Sequence, residues 1–238
     1  MIWTLIKEES VMTTTVESML NTVEADRWLQ GRGWVYQLLI DFLENPPALS
    51  QLAPWQRQAA MREEMALTGG GRRLQQYLSQ LKPCELTEAC QAETIEYERL
   101  FAGPDALLPC ICESVYRAQD PRIGQRCLQQ IREAYAGCGI VFNKLRSEKD
   151  DHLAIELEFI AVAGEHMDDA QGLPECQLMW LDTQIDFLEN HLLQWTPQLS
   201  EELTSLARTP LYREIGHIVG EFIPYDLKML RLLREELA

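Results

Sequence analysis

Apolar side chains recur every three or four residues through most of this chain, and no segment alternates apolar and polar residues over the length of a strand. Trp28, Val35, Leu38, Leu39 and Phe42 form one such stripe. Thr22 or Asp26 offers that helix a start. Pro46 and Pro47 stop it, because proline lacks the N–H the helix ladder needs and pushes its predecessor out of the α region. Further helices are expected over 55–67, ended by Gly69, Gly70 and Gly71; over 72–81, before Pro83; and over 87–101, broken by Gly103 and Pro104. Later ones fit 121–135, a helix capped by Asp150 or Asp151 and running through His166, then 174–193, 198–206 and 210–236, with a kink expected at Pro224. Residues 140–145 read as short and extended. The pattern predicts an all-α fold, a bundle of about ten helices.

Residues 1–22 carry little periodicity and are expected to be a poorly ordered leader, with Met12 an alternative start. Residues 23–238 are expected to form one helical domain; if it is two-lobed, the lobes are 23–102 and 120–238, joined by a loop over 103–119. Within that loop, 103–116 holds two prolines and a glycine, which argue against a helix, yet it is apolar. An apolar irregular loop of this length packs into a groove or against a partner.

Charge narrows the partners. The chain carries 37 Asp and Glu against 21 Lys and Arg, a net charge of -16 over 238 residues. Such a field repels phosphate backbones and anionic lipid, so no nucleic acid and no membrane surface is expected as partner, and cationic ligands are favoured. Residues 150–207 hold 13 acids and no Lys or Arg. Solvated helix faces and a docking field for a basic peptide both fit that composition. No run reaches the roughly 18 uninterrupted apolar residues needed to span a bilayer. Lys7, Glu8 and Glu9 interrupt the mildly apolar start, so no signal peptide and a cytoplasmic location are expected. Seven cysteines, an odd number in a chain too large to depend on disulfides, suggest reduced thiols.

Catalytic and metal motifs are sparse. The histidines at 152, 166, 191 and 217 include no i, i+4 pair, and only Glu214 with His217 has the Glu-x-x-His spacing, half of a helical di-iron site. No phosphate loop, dinucleotide fingerprint or Gly-x-Ser-x-Gly elbow occurs. No catalytic residue, metal or cofactor is therefore expected. One polar cluster stands out: Glu148, Lys149, Asp150, Asp151 and His152 at the start of an apolar helix. Acids are favoured at a helix N-terminus. His152 is not explained that way; either it is a buried histidine, held by Glu156 one turn on, or Asp151 and His152 form a polar floor for a cationic ligand.

Two segments carry a resemblance. Tyr97-Glu98-Arg99-Leu100-Phe101-Ala102-Gly103-Pro104, followed by Pro109 and Glu113-Ser114-Val115-Tyr116, resembles the "Y-x-R-L-F-x-G-P … P-P-x-E-S-V-Y" signature of the TorD/DmsD/NarJ-type redox-enzyme maturation chaperones. Glu148, Asp151, His152, Leu153 and Ala154, with Glu158 and Phe159, resemble that family's "E-x-x-D-H-L-x-x-E-L-E-F" helix. Weaker echoes are Val35 to Leu39 with Phe42 and Leu43 before the proline pair, and Thr209-Pro210-Leu211-Tyr212.

The resemblance implies a non-enzymatic cytoplasmic chaperone. Its partner would be the precursor of a molybdopterin-dependent oxidoreductase catalytic subunit, bound by its twin-arginine or remnant leader or as the apo form until cofactor insertion is complete. Carried over by position, the leader-binding candidates on the first segment are Tyr97, Leu100, Phe101 and Pro104. On the loop they are Pro109, Glu113, Ser114 and Tyr116, and on the second helix Asp151 and His152. Leu100 and Phe101 equally fit core packing. Replacing Asp151 and His152 by alanine is expected to weaken leader binding with the fold intact. The chain departs from the pattern after Pro109, where Cys110, Ile111 and Cys112 replace the second proline; those thiols would make release redox-sensitive. A helical metal or haem carrier, a small enzyme, or an assembly subunit retained in the finished complex are the alternatives. A monomer or a domain-swapped dimer both suit long helices with such connections.

Overall fold

The computed structural model describes residues 2–59, 61, 66–117, 121–142 and 149–237, with side chains over the same ranges except 2–22 and 121–123. The architecture is all-α. Among the described residues ten α-helices run in order: α1 Ile2–Glu44, α2 Leu49–Ala59, α3 Gly69–Gln80, α4 Leu86–Tyr97, α5 Glu113–Tyr116, α6 Pro121–Gly137, α7 Leu153–Asp169, α8 Pro174–Asn190, α9 Thr196–Leu206 and α10 Pro210–Leu237. No strand lies among the described residues.

Prolines set many of the ends as the sequence pattern predicts. α1 stops just before Pro46 and Pro47, while Pro121, Pro174 and Pro210 open α6, α8 and α10 in the first turn, where the missing N–H costs nothing. Other ends differ. α1 starts at Ile2 rather than near Thr22 or Asp26, whereas α10 runs from Pro210 through Pro224 to Leu237, within one residue of the expected end. The second helix ends at Ala59; residues 60 and 62–65 of the expected 55–67 helix, and 143–145 of the expected 140–145 extended stretch, lie outside the described residues.

The three glycines at 69–71 do not break a helix; they begin α3. Thr68 is extended and its hydroxyl accepts the Gly71 N–H at 3.1 Å, a side-chain N-cap. The Gly70 N–H donates to Glu221 of α10 at 2.8 Å. The reason for glycine is close approach. A Cβ on Gly70 would stand 2.9 Å from the His217 Cβ and 3.0 Å from the Ile218 backbone nitrogen. Gly216 does the same for α9, since a Cβ there would meet the Thr204 backbone nitrogen at 2.9 Å.

α10 is the organising element. Its Leu211, Ile215, Ile218, Phe222 and Leu230 recur at helical spacing and are buried against α3, α8, α9 and α1. The buried apolar residues form one contiguous cluster that spans α1 to α10. A buried polar knot ties its centre. Arg32 of α1 donates to both carboxylate oxygens of Asp226 of α10, at 3.0 and 2.8 Å, and to Gln184 of α8 at 2.8 Å. Trp28 and Tyr36 donate to the same carboxylate at 2.7 and 2.8 Å. With every partner in place the carboxylate is fully satisfied, and the knot fixes the register of three helices.

Candidate functional site

α4 does not end cleanly. Its last turn widens into a π-helical turn, Glu98–Ala102, closed by the Gly103 N–H on the Glu98 carbonyl at 2.9 Å. Arg99 anchors that turn. It donates twice to Glu96 at 2.7 Å and to the Leu206 carbonyl at 2.7 Å. The wider turn swings Phe101 beside Tyr97, ring centroids 5.1 Å apart, and beside Tyr212 of α10 at 5.7 Å. Leu100 points into the core and is fully buried.

The loop that follows doubles back over the turn. Leu107 and Leu108 donate their N–H groups to the Arg99 and Leu100 carbonyls at 3.2 and 2.7 Å. Further on, the Glu113 N–H donates to the Asp151 carbonyl at 3.0 Å, and the Leu153 N–H to the Ile111 carbonyl at 2.9 Å, an isolated antiparallel bridge of Cys112 with His152. The loop is thus laced at one end to α4 and at the other to α7. Its tail, expected to be irregular throughout, coils into the short helix α5; both prolines lie upstream, so nothing there blocks the turn.

His152, and neither Asp150 nor Asp151, caps α7. Its Nδ1 accepts the Ala154 N–H at 3.3 Å, so that nitrogen carries a lone pair rather than a proton. Asp150 turns away to Arg132 of α6 at 2.5 Å. Asp151 is buried, and one of its carboxylate oxygens accepts the Ser114 N–H at the start of α5, at 2.8 Å. Glu156 accepts from Trp195 at 3.4 Å. Burial, reinforced by the nearby Glu113 charge, holds the Glu156 carboxyl well above its ordinary range. Glu113 is also buried, pairing with Arg117 and with His191 Nδ1 at 2.9 Å. Glu148 lies outside the described residues.

Two cavities flank the loop. One, of about 280 Å³, is lined by Tyr97, Phe101 and Ala102 from the end of α4, by Leu108 to Cys112 of the loop, and by Lys149 and His152. The other, of about 270 Å³, lies between Leu107 to Cys110, Val115 and Tyr116 on one side and Gln198 and Glu202 of α9 on the other. Leu108, Pro109 and Cys110 are the wall between them. Tyr116 donates to Glu202 at 2.9 Å and packs on Trp195 at 5.2 Å. Burial and the Glu202 carboxylate raise the Tyr116 phenol, so it stays a donor.

Of the residues carried over by resemblance, Tyr97, Phe101, Pro109 and His152 meet at the first cavity, and Pro109 and Tyr116 at the second. Glu113, Ser114 and Asp151 stand behind them as supports, Leu100 is core, and Pro104 is exposed on the turn after α4. Cys110 and Cys112 are joined in a disulfide, against the expectation of reduced thiols: their Cα atoms stand 5.4 Å apart, within reach of a bridge across one residue. The other five cysteines are not bridged. The acid-only stretch is partly neutralised by arginines from outside it, Arg132 on Asp150, Arg234 on Asp182 and Arg231 on Glu189, a long-range pairing that local charge counting misses. A larger cavity of about 320 Å³ between α1 and α7, lined by Arg32, Trp34, Glu165 and Asp168 among others, carries no sequence signal. Among the described residues no group of three or more His, Cys, Asp or Glu is placed to share a metal ion, and no helix is long and apolar enough to cross a membrane.

Comparison with known proteins places these features. The chain is 32% identical over 137 residues to the chaperone protein TorD of Vibrio cholerae serotype O1 (Classical Ogawa), covering 58% of this chain and 60% of that one. It is 22% identical over 154 residues to the chaperone protein TorD of Aliivibrio salmonicida, covering 64% and 71%. The match to the Aliivibrio fischeri chaperone protein TorD is 24% over 130 residues, covering 55% and 60%. The chain thus spans about 60% of the length of the first of these relatives. The family model described as nitrate reductase delta subunit matches residues 64–201, which include α4, the loop and the α7 cap, and with that match over more than half of its length the chain belongs to the family of TorD-type redox-enzyme maturation chaperones.

Proposed function

We propose that this protein is a cytoplasmic, non-enzymatic maturation chaperone. It binds the leader peptide, the apo form, or both, of a molybdopterin-dependent oxidoreductase catalytic subunit, and holds it back from export or assembly until the cofactor is in place. The observation that carries this reading is that the loop bearing the family signature is the common wall of two cavities, one aromatic and one with an acid at its rim. A twin-arginine leader is a cationic segment followed by an apolar one, so its binder needs acids beside apolar surface. Leu107 and Val115, about half exposed, offer apolar surface at the rim of the second cavity, and Glu202 offers the charge. Tyr97, Phe101, Pro109, Tyr116 and His152 would contact the leader, with Glu113, Ser114 and Asp151 holding the loop in place.

The test is affinity capture from native cytoplasm of anaerobically grown cells, with the intact protein as bait and mass spectrometry as readout. Recovery of an immature molybdoenzyme catalytic subunit bearing its leader is the expected result. Folded bait that recovers no such subunit, from cells shown to express one, removes the reading.

A further inference from the structure

The Cys110–Cys112 disulfide is built into the wall between the two cavities, and the two sulfurs differ in access. Cys110 is half-buried and lines both cavities, whereas Cys112 is 1% exposed and lines only the first. The Lys149 ammonium stands 3.7 Å from the Cys110 sulfur. Backbone hydrogen bonds hold the loop at Leu107 and Leu108 on one side and at Ile111 and Glu113 on the other. Between them Pro109 has no N–H to give, so the covalent link from Cys110 to the bridged Cys112 is the strongest tie on the wall.

We propose that Cys110 and Cys112 form a reversible thiol–disulfide site, open to low-molecular-weight thiols, whose redox state sets how firmly the wall between the cavities is held. The thiolate of one small thiol attacks the accessible Cys110 sulfur. The Cys110–Cys112 bond breaks, its electron pair leaves on the Cys112 sulfur, and that sulfur takes a proton. A second thiolate then attacks the external sulfur of the mixed disulfide and expels Cys110 as a thiolate beside the Lys149 ammonium, where it is stabilised before protonation. Two small thiols are oxidised to one disulfide, and the protein gains two thiols. A small-molecule disulfide runs the same steps backwards. Reduction releases Pro109 and Cys110, and the wall loosens. The consequence for the client, weaker binding to the reduced form because a pre-ordered wall is lost, rests on the function proposed above.

The experiment uses the whole chain in a series of reduced and oxidised glutathione mixtures, with thiols trapped by alkylation and read by mass spectrometry. Amide hydrogen exchange over 107–113 is followed in parallel, without any peptide. Cys110 and Cys112 are expected to titrate together as one two-electron pair while the other five cysteines stay alkylatable or buried. Exchange over 107–113 is expected to be roughly fivefold faster after reduction, and Cys110→Ser, at the half-exposed position, is expected to show the fast exchange in every mixture. A synthetic peptide of two arginines followed by an apolar run is expected to bind the reduced form about tenfold more weakly. A pair that stays as thiols across the series overturns the proposal, and so does a pair that oxidises without changing the exchange. If the peptide binds neither form, the function proposed above falls, while alkylation and exchange on the peptide-free protein still decide the redox site.

Discussion

One carboxylate oxygen of Asp151 accepts the Ser114 N–H at 2.8 Å, and this bond joins the start of α7 to the first turn of α5 across 37 residues of chain. The other oxygen has no hydrogen-bond partner among the described residues. Asp151 is thus a buried bracket for the loop and lines neither of the two cavities. Asp151→Ala leaves the Ser114 N–H unpaired and costs about 1–3 kcal/mol. Its melting temperature is expected to fall, in contrast to the intact fold expected from the sequence. Asp151→Asn keeps an acceptor and should recover most of the loss. Calorimetry on both variants checks this; equal melting temperatures for Asp151→Ala and the parent would show that the bracket carries no weight.

His152 does two jobs that substitution can separate. Its Nδ1 caps α7 and its ring lines the first cavity. His152→Ala loses both, costing about 1 kcal/mol of stability through the cap. His152→Asn supplies another capping acceptor, so its stability should stay within about 0.5 kcal/mol of the parent. Both are expected to bind the diarginine peptide roughly tenfold more weakly if the ring is a contact. Titration calorimetry paired with thermal melts reads the two roles apart, and an Asn variant with parental affinity would make the histidine a cap alone.

The helix boundaries that prolines impose were legible because proline acts locally, through its own φ and missing N–H. The start of α3 was not. Gly69 to Gly71 carry a breaker's propensity, and only the crossing with His217 and Ile218, about 150 residues away, makes glycine the residue that fits. The cap of α7 was misplaced for a similar reason. Asp150 and Asp151 both have capping side chains, but Arg132 and Ser114 engage them instead. Of the site, the residue types came from the motif, while the shared cavity of Tyr97, Phe101, Pro109 and His152 depends on the π-helical turn at Glu98–Ala102, which has no composition signature.

Gly216 tests the close crossing of α9 on α10. A Cβ there meets Thr204 Oγ1 at 2.7 Å and the Thr204 backbone nitrogen at 2.9 Å, and backbone cannot rotate away. Gly216→Ala should cost about 1–3 kcal/mol, although alanine is the better helix former. Gly137, whose Cβ would meet nothing within 4 Å, is the control. A denaturant midpoint for Gly216→Ala at or above the parent's would contradict the tight crossing.

Glu93 gives a pH dependence with a definite sign. Burial is the main cause that lifts its carboxyl from 4.5 to about 7, against the hydrogen bond it accepts from the Tyr77 hydroxyl. The folded state therefore holds a proton that the unfolded state has released, and stability falls as pH rises from about 4.5 to about 7. The whole effect is at most roughly 3 kcal/mol. Glu93→Gln stays neutral and can still accept from Tyr77, now 3.1 Å away. At pH 8 the variant is expected to be more stable than the parent, and at pH 4 close to it. Denaturant midpoints at the two pH values decide the matter, since parallel curves for variant and parent would mean that Glu93 is not the titrating group.

Glu202 is the acid at the rim of the second cavity, held by the Tyr116 hydroxyl at 2.9 Å. If the diarginine end of a leader docks there, its charge meets this carboxylate beside the apolar surface of Leu107 and Val115. Glu202→Gln keeps an acceptor for Tyr116, so the fold should be unchanged, but it removes the charge. Peptide affinity is expected to drop about three- to tenfold at low salt, with a smaller difference at high salt, where a partly exposed charge is screened. A peptide with two glutamines in place of the arginines should bind parent and variant alike. Affinities measured at two ionic strengths check both expectations. A loss that does not shrink with salt, or that persists with the uncharged peptide, would place the charge-reading acid elsewhere on the groove.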